Sequence, residues 1–94
     1  MGVPLVRIEM SRYARSSSAE DLLREIAAAL RNNAFSVLLI DEVEKASTDT
    51  QNGMVAVLDD GTFTVVEQLT SSAGSAKNFV KVNARNATFI LTTN

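Results

Sequence analysis

The stretch "SVLLIDEVEKA" occupies residues 36–46 and decides the fold of this chain. Four apolar residues lead directly into two adjacent carboxylates, Asp41 and Glu42. A strand that is apolar on both faces is typical of the centre of a parallel sheet covered by helices. Two explanations of the acidic pair are open at this point. The strand either delivers its acid groups to a metal ion and a water molecule, or it simply ends where the chain meets solvent.

Upstream of this strand, the pattern predicts another strand and then a helix. Residues 4–10 alternate, with apolar side chains on one face, and are typical of a strand that begins at a proline. Ser18 is predicted to be the N-cap of the helix, and Asn32 and Asn33 suit its end because asparagine tolerates the left-handed conformation. Five apolar residues recur at helical spacing and are predicted to face the core. They are Leu22, Leu23, Ile26, Ala27 and Leu30.

Downstream of the acidic pair, the sequence predicts a second helix, a hairpin and a final strand. Thr48 is predicted to cap the helix, which ends at Gly61, a residue able to adopt positive φ. Two β-rich runs, "TFTVVEQL" and "NFVKVNA", flank a small polar stretch and predict a β-hairpin that projects from the body. The last run, "ATFILTTN", is an apolar strand with a polar tip.

The order of these elements predicts an α/β fold, a three-layer α/β/α arrangement with a parallel sheet. Strand–helix–strand connections are right-handed, and functional groups in such sheets collect at the carboxyl ends of the strands. Polar clusters at residues 9–11, 41–42 and 92–94 follow the three predicted strands. If the strands lie side by side, the clusters share one edge, which favours the chemical explanation of Asp41 and Glu42.

Composition limits the possible functions. The chain has 94 residues, enough for one small domain, and a formal net charge of −2. It has no broad basic surface, so neither nucleic acid nor an anionic membrane is an expected partner. Cysteine and histidine are both absent, which excludes disulfides, thiolate metal sites and histidine general bases. No apolar run approaches the roughly 20 residues of a membrane span, and a cytoplasmic protein is expected.

Several segments together resemble the nucleotide-binding domain of Clp-type AAA+ ATPases, the ring-forming protein unfoldases. "LLIDEVEKAS" followed by "QNGMVAVLDDG" is similar to the Walker B strand and the helix after it in that family. "VRIEMSRY" resembles the second strand of the family and its continuation, and "VNARNATFILTTN" resembles the fourth strand, which ends in the sensor-one asparagine. These segments follow the order of the family, so the resemblance implies a partial AAA+ fold of the P-loop NTPase class.

The resemblance also implies roles for three residues. Asp41 would help to hold the Mg²⁺ that bridges the phosphates of ATP, and Glu42 would orient or deprotonate the attacking water. Asn94 would form a hydrogen bond near the γ-phosphate and that water. Because proteins catalyse phosphoryl transfer mainly by positioning groups and neutralising charge, the lack of histidine and cysteine does not conflict with this activity. The implied partners are ATP, other AAA+ subunits of a ring and a protein substrate.

The chain also departs from the family. It contains no G-x-x-x-x-G-K-[ST] phosphate-binding loop, and residues 14–21 have neither the glycine nor the aromatic residue of a pore loop. We therefore interpret residues 1–94 as a partial AAA+ domain, an internal fragment with a hairpin insertion at about residues 62–85. The predicted function is part of an ATP-hydrolysing module that remodels or unfolds proteins, with this chain inactive by itself. The alternative is a degenerate module that binds other subunits without ATP turnover.

Overall fold

The computed structural model of the protein describes residues 2–71 and 74–93, and it describes side chains there except at residues 68–71 and 74–77. The strands are β1 (Leu5–Glu9), β2 (Val37–Asp41), β3 (Thr62–Ser71), β4 (Gly74–Asn83) and β5 (Thr88–Leu91), and the helices are α1 (Glu20–Asn32) and α2 (Thr48–Asp60). Short 3₁₀ turns at Met10–Tyr13 and Val43–Lys45 follow β1 and β2.

The main sheet is parallel and three-stranded, with β2 between β1 and β5. Ile8 of β1 pairs with Ile40 of β2, which pairs in turn with Leu91 of β5. Strand β2, with the sequence VLLID, is thus central, as its apolar composition predicted. The predicted α/β class with a parallel sheet and crossover helices is confirmed.

The hydrophobic core lies between one face of this sheet and the two helices. Ile8, Leu38 and Ile40 are fully buried on that face. The predicted apolar stripe of α1 packs against them, with Leu22, Ile26 and Leu30 in the same cluster. Met54 and Val57 of α2 complete it. Burying one such side chain contributes about 1.5–3 kcal/mol, so this single layer of contacts holds the helices on the sheet.

The opposite face of the sheet is open. By strand alternation it carries Leu5, Arg7 and Leu39 together with Ile90. Leu5 is 66% exposed and Ile90 is 47% exposed. Both crossovers step in the same direction along the sheet and are right-handed, so α1 and α2 lie on the same side. Within the described ranges, the helices therefore form a single layer on one face of the sheet, so the predicted three-layer α/β/α arrangement is only partly present, with two layers.

The ends of α1 differ from the sequence-based prediction. The N-cap is Ala19, not Ser18, although the Oγ atom of Ser18 still accepts a hydrogen bond from the N–H of Glu20 at 3.4 Å. At the other end, α1 ends at Asn32 with Asn33 as its C-cap, as predicted, but Asn33 is extended with φ −157°, so the expected left-handed conformation is wrong. Its side chain instead accepts a hydrogen bond from the N–H of Phe35 at 2.9 Å, which starts the turn into β2.

The N-cap of helix α2 lies one residue earlier than predicted. Ser47 is the N-cap, and its Oγ atom accepts a hydrogen bond from the N–H of Thr50 at 3.2 Å, whereas Thr48 is already helical. The predicted end is confirmed, because Gly61 has φ +73° and its N–H donates to the carbonyl of Val57 at 2.8 Å. The left-handed glycine turns the chain directly into β3.

The predicted hairpin is confirmed as an antiparallel pair of ten-residue strands, β3 and β4, which form their own sheet. Its base is anchored to the domain: Val65 is buried, and Arg31 of α1 forms an ion pair with Glu67. Phe79 of β4 is 70% exposed, so part of the hairpin surface remains free of the core. The domain limits of 1–94 and the insertion limits of about 62–85 stay predictions. None of the described helices is long and apolar enough to cross a membrane.

Candidate functional site

The carboxyl ends of the three parallel strands bring polar side chains together, as the strand order requires. Asp41 is the last residue of β2 and pairs in register with Glu9, the last residue of β1. Strand alternation places Asp41 on the open face of the sheet, together with Arg7. Thr92 follows β5 directly and lies beside the end of β2. The site therefore opens toward the face that α1 and α2 do not cover.

The Asp41 carboxylate is held from both sides. Its Oδ1 atom accepts a hydrogen bond from the Thr92 hydroxyl at 2.5 Å. Its Oδ2 atom accepts two bonds from the Arg7 guanidinium, from Nη2 at 2.5 Å and from Nε at 3.2 Å. The hydrogen bond from Thr92, and then that from Arg7, lower the pKa of Asp41 below its ordinary value. The group is therefore an anion at neutral pH, with its orientation fixed by two neighbouring strands.

Thr92 contacts four consecutive residues at the exit of β2. Its N–H donates to the carbonyl of Ile40 at 2.9 Å, and its carbonyl accepts from the N–H of Val43 at 3.0 Å. Its hydroxyl donates to Asp41 and accepts from the N–H of Glu42 at 3.0 Å. The chain after β5 is thus fastened to the whole turn that carries the acidic pair.

Glu42 has a left-handed backbone, with φ 58° and ψ 55°. It is the one non-glycine residue with positive φ among those that the structure describes. This conformation costs roughly 1–2 kcal/mol for a residue with a Cβ atom, so its neighbours must hold it in place. The Glu42 side chain faces Lys45, whose Nζ atom lies 3.7 Å from Glu42 Oε1.

Two of the three predicted site residues, Asp41 and Glu42, lie at the carboxyl end of the central strand, where the sequence placed them. Asn94 lies outside the described residues. Sequence analysis missed Arg7, which also lies 3.4 Å from the Glu9 carboxylate. Strand alternation is the signal that could have found it, because Arg7 stands two residues before the end of β1 on the face that Asp41 shares.

The oxygen atoms at this edge suit a hard cation such as Mg²⁺, which prefers carboxylate and water ligands. A carboxylate offers about four acceptor positions. Arg7 donates to Oδ2 of Asp41 and Thr92 donates to Oδ1, and the Glu42 backbone N–H also helps to hold the carboxylate. Among the described residues no group of three or more acidic side chains could hold a metal ion. Asp41 therefore fits the role of a single ligand, with the remaining ligands supplied from elsewhere.

A surface pocket of about 460 Å³ lies away from the strand ends, between α1 and β3. Two arginines line it, but each is neutralised by a carboxylate. Arg24 pairs with Glu20 at 2.8 Å, and Arg31 pairs with Glu67. The pocket therefore offers no free positive charge to an anionic ligand, and the carboxyl ends of the parallel strands remain the candidate site.

A parallel α/β sheet with an acidic pair at the end of its central strand places the protein in the P-loop NTPase class of folds. The particular family follows from direct comparison. Residues 2–94 match the family described as AAA domain (Cdc48 subfamily), and the chain belongs to that family.

Relatives along the same residues are chaperones by name. The chain is 34% identical to the chaperone protein ClpB of Prochlorococcus marinus over 102 aligned positions, which cover 96% of this chain and 10% of the relative. It is 32% identical to ClpB of Staphylococcus aureus over 96% of this chain and 10% of that protein, and 36% identical to ClpB of Wolinella succinogenes over 96% and 11%. The predicted resemblance to Clp-type AAA+ proteins is confirmed.

The chain spans about a tenth of the length of these curated relatives. The aligned stretch of 102 positions is also longer than the 94 residues of the chain, so the relatives carry residues here that this chain lacks.

Proposed function

We propose that this chain is part of an ATP-binding and ATP-hydrolysing AAA+ module, in which Mg-ATP hydrolysis drives the remodelling or unfolding of a protein partner. Membership of the AAA family and the chaperone names of its relatives support the class of activity. The observation that carries the proposal is the placement of Asp41 and Glu42 at the end of the central strand, both held by Thr92. The expected partners are ATP, other AAA+ subunits in a ring and a protein substrate, and the expected location is the cytoplasm.

In this proposal Asp41 provides one oxygen ligand, directly or through a water molecule. Bound Mg²⁺ supplies positive charge that offsets the charge of the phosphates during phosphoryl transfer. Asp41 is suited to that role because its carboxylate is ionised and is oriented by the hydrogen bond from Thr92. Arg7 fixes the other oxygen, so the carboxylate cannot rotate freely.

Glu42 takes the second role, that of orienting or deprotonating the attacking water. Adjacent residues at a strand end point in different directions, so in this proposal the two carboxylates serve different groups. A base must lie within hydrogen-bond reach of the proton that it takes, and the side chain of Glu42 is 37% exposed and accessible to water. Asn94 is proposed to form a hydrogen bond near the γ-phosphate, as the resemblance to the family implies.

The isolated chain is expected to bind nucleotide weakly and to show no measurable ATPase activity. It lacks the glycine-rich loop and lysine that hold the phosphates in P-loop proteins, and a single aspartate cannot replace them. Calorimetric titration of Mg-ATP into the pure chain measures this directly. A low-micromolar Kd would contradict the interpretation of the chain as part of a larger site.

The proposed catalytic role is tested in the intact module that contains this chain. Glu42→Gln should reduce ATP hydrolysis about a hundredfold or more while ATP remains bound, because the amide keeps the shape of the side chain but cannot take a proton. Asp49→Asn is the matched control: the same loss of a carboxylate at an exposed position in the first turn of α2, where hydrolysis should be unchanged. Hydrolysis at the wild-type rate in Glu42→Gln would remove Glu42 from the mechanism.

The second candidate is a subunit-interaction module without ATP turnover. It is favoured by the engagement of both Asp41 oxygens with Arg7 and Thr92, and by the missing phosphate-binding loop. The two candidates differ in what the gene encodes upstream of Met1. A glycine-rich phosphate loop there supports the enzyme, whereas a reading frame without one supports the interaction module.

A further inference from the structure

We propose that Thr92 is the positioning residue of the acidic pair, whose hydroxyl holds the Asp41 carboxylate and the Glu42 backbone in the arrangement that ATP hydrolysis needs. This inference rests on the proposed function for its effect on catalysis, but its structural part stands independently. The basis is one hydroxyl group that makes two bonds of opposite sense, as donor to Asp41 Oδ1 at 2.5 Å and as acceptor from the Glu42 N–H at 3.0 Å.

The two hydrogen bonds restrain different parts of the site, one a side chain and the other the backbone. The bond to Asp41 limits rotation of a side chain, and the hydroxyl uses its single proton for it. The bond from Glu42 acts on the backbone, at the residue whose left-handed φ of 58° needs support from its surroundings. Losing the hydroxyl therefore loosens both carboxylates at once, because the Glu42 N–H donates to this hydroxyl at 3.0 Å.

The backbone hydrogen bonds of Thr92 allow its hydroxyl to be removed without changing how β5 pairs with β2. Its N–H bond to Ile40 and its carbonyl bond from Val43 do not depend on the side chain. Strand β5 therefore keeps its register against β2 in any Thr92 variant that folds. Thr92→Val keeps the shape and removes the hydroxyl, Thr92→Ser keeps the hydroxyl, and Thr93→Val makes the same change at the exposed neighbour.

The first test measures amide hydrogen exchange in the 94-residue chain. Thr92→Val should accelerate exchange of the Glu42 amide about tenfold or more, because that N–H loses the hydroxyl that accepts its hydrogen bond, while the amides within β2 are unchanged. Thr92→Ser and Thr93→Val should leave the Glu42 amide within about threefold of the wild type. If Thr92 only stabilised the fold, all amides would accelerate together. An unchanged Glu42 amide in Thr92→Val would overturn the proposal.

The second test measures steady-state ATP hydrolysis in the intact module. Thr92→Val should lower kcat about tenfold or more with KM for ATP within about threefold, because misplaced groups slow the chemical step more than they weaken binding. Thr92→Ser should restore kcat, and Thr93→Val should match the wild type. Thr92→Ala repeats the loss of the hydroxyl if the valine variant does not fold. Equal kcat values in the valine, alanine and serine variants would overturn the catalytic part.

The two tests separate failure of this inference from failure of the proposed function. If the intact wild-type module hydrolyses no ATP, the proposed function fails, and the exchange experiment still decides whether Thr92 holds the acidic pair. If hydrolysis occurs but Thr92→Val changes neither exchange nor kcat, the function stands and the inference about Thr92 is wrong.

Discussion

The hydroxyl of Tyr13 donates a hydrogen bond to Oε1 of Glu25, and this contact ties the turn after β1 to helix α1. Arg12 donates to the same carboxylate at 2.8 Å, so a cation and a phenol share one anion. The carbonyl of Tyr13 accepts a hydrogen bond from the N–H of Ser47 at 3.0 Å, which joins the start of α2 to the same turn. Burial of the ring, and then the bond to Glu25, raise the pKa of Tyr13 to about 12.

This shift predicts a loss of stability at alkaline pH. The pKa in the folded protein exceeds the ordinary value of 10.0, so the contribution of Tyr13 is complete below pH 10 and is lost as pH rises toward about 12. The free energy of unfolding of the wild type should therefore fall more steeply between these values than that of Tyr13→Phe. Urea unfolding at a series of pH values measures both curves. Tyr13 is the one tyrosine of the sequence, so parallel curves would show that its pKa is not shifted.

Glu42 should carry a stability cost that glycine removes. A residue with a Cβ atom is strained at φ 58°, whereas glycine adopts this conformation freely. Glu42→Gly should be more stable than Glu42→Ala by about 1 kcal/mol, because both lose the carboxylate and only alanine keeps the strain. Urea unfolding of the two variants gives the difference. Equal stability would mean that the backbone at residue 42 relaxes out of the left-handed region.

Gly53 should resist substitution although it lies inside a helix. Replacing an exposed helical glycine by alanine normally stabilises by about 1 kcal/mol. Here an added Cβ would overlap the Cβ atom of Ala19, at the start of α1. Gly53→Ala should therefore destabilise the protein by about 1–3 kcal/mol, because the two helices must move apart. Thermal or urea unfolding provides the measurement.

The control for Gly53 is its partner in the contact. Ala19→Gly removes the atom that a Cβ at position 53 would meet. The double variant, Ala19→Gly with Gly53→Ala, should recover stability relative to Gly53→Ala alone, because neighbouring sites in contact are not additive. Without such recovery, the cost of Gly53→Ala would have to arise elsewhere in α2.

The elements that could be predicted from the sequence are those whose signal is local and repeated. The apolar stripe of α1 and the doubly apolar strand β2 follow from periodicity, and the crossover rule then gives the strand order. The helix starts were wrong by one residue because Ser18 and Thr48 each have a neighbour that can start the helix. Tertiary contacts decide between such neighbours: the Thr50 hydroxyl donates to the carbonyl of Ser18 at 3.4 Å, across the two helix starts.

The candidate site was predicted only in outline, for a similar reason. The end of an apolar strand locates Asp41 and Glu42, but their partners depend on the register between strands. Arg7 reaches Asp41 because the register between β1 and β2 aligns it with Leu39. Leu39 lies two residues before Asp41 and on the same face of the sheet. The double role of the Thr92 hydroxyl depends on the position of β5, which a sequence pattern does not define to within the length of a hydrogen bond.

The free edge of β5 predicts association of the isolated chain. Among the described residues, β5 pairs with β2 alone, so the backbone groups on its other side are open to a further strand. Ile90 and Leu91 of this strand are 47% and 43% exposed, and no charged residue lies within the strand. An exposed apolar edge of this kind invites pairing with another chain.

The hairpin does not protect this edge by strand pairing. Strands β3 and β4 form a separate sheet. Arg85 follows β4 and could have placed a charge beside the β5 edge, but its Nη2 atom donates to the carbonyl of Asp60 at the end of α2. Two modes of association are therefore physically reasonable: edge-to-edge pairing of β5, or exchange of the β3–β4 hairpin between chains. In both cases the apparent mass should rise with concentration.

Sedimentation equilibrium over about a hundredfold range of concentration tests this expectation. Ile90→Lys places a charge on the β5 edge and should shift the chain toward monomer if the edges pair. Phe79→Lys makes the same kind of change at an exposed apolar residue of β4, and it should leave edge-to-edge pairing intact. Association that survives Ile90→Lys would favour hairpin exchange. A strictly monomeric wild-type mass at the highest concentration, with cooperative unfolding, would show that the β5 edge is covered and that the chain folds as a self-sufficient domain.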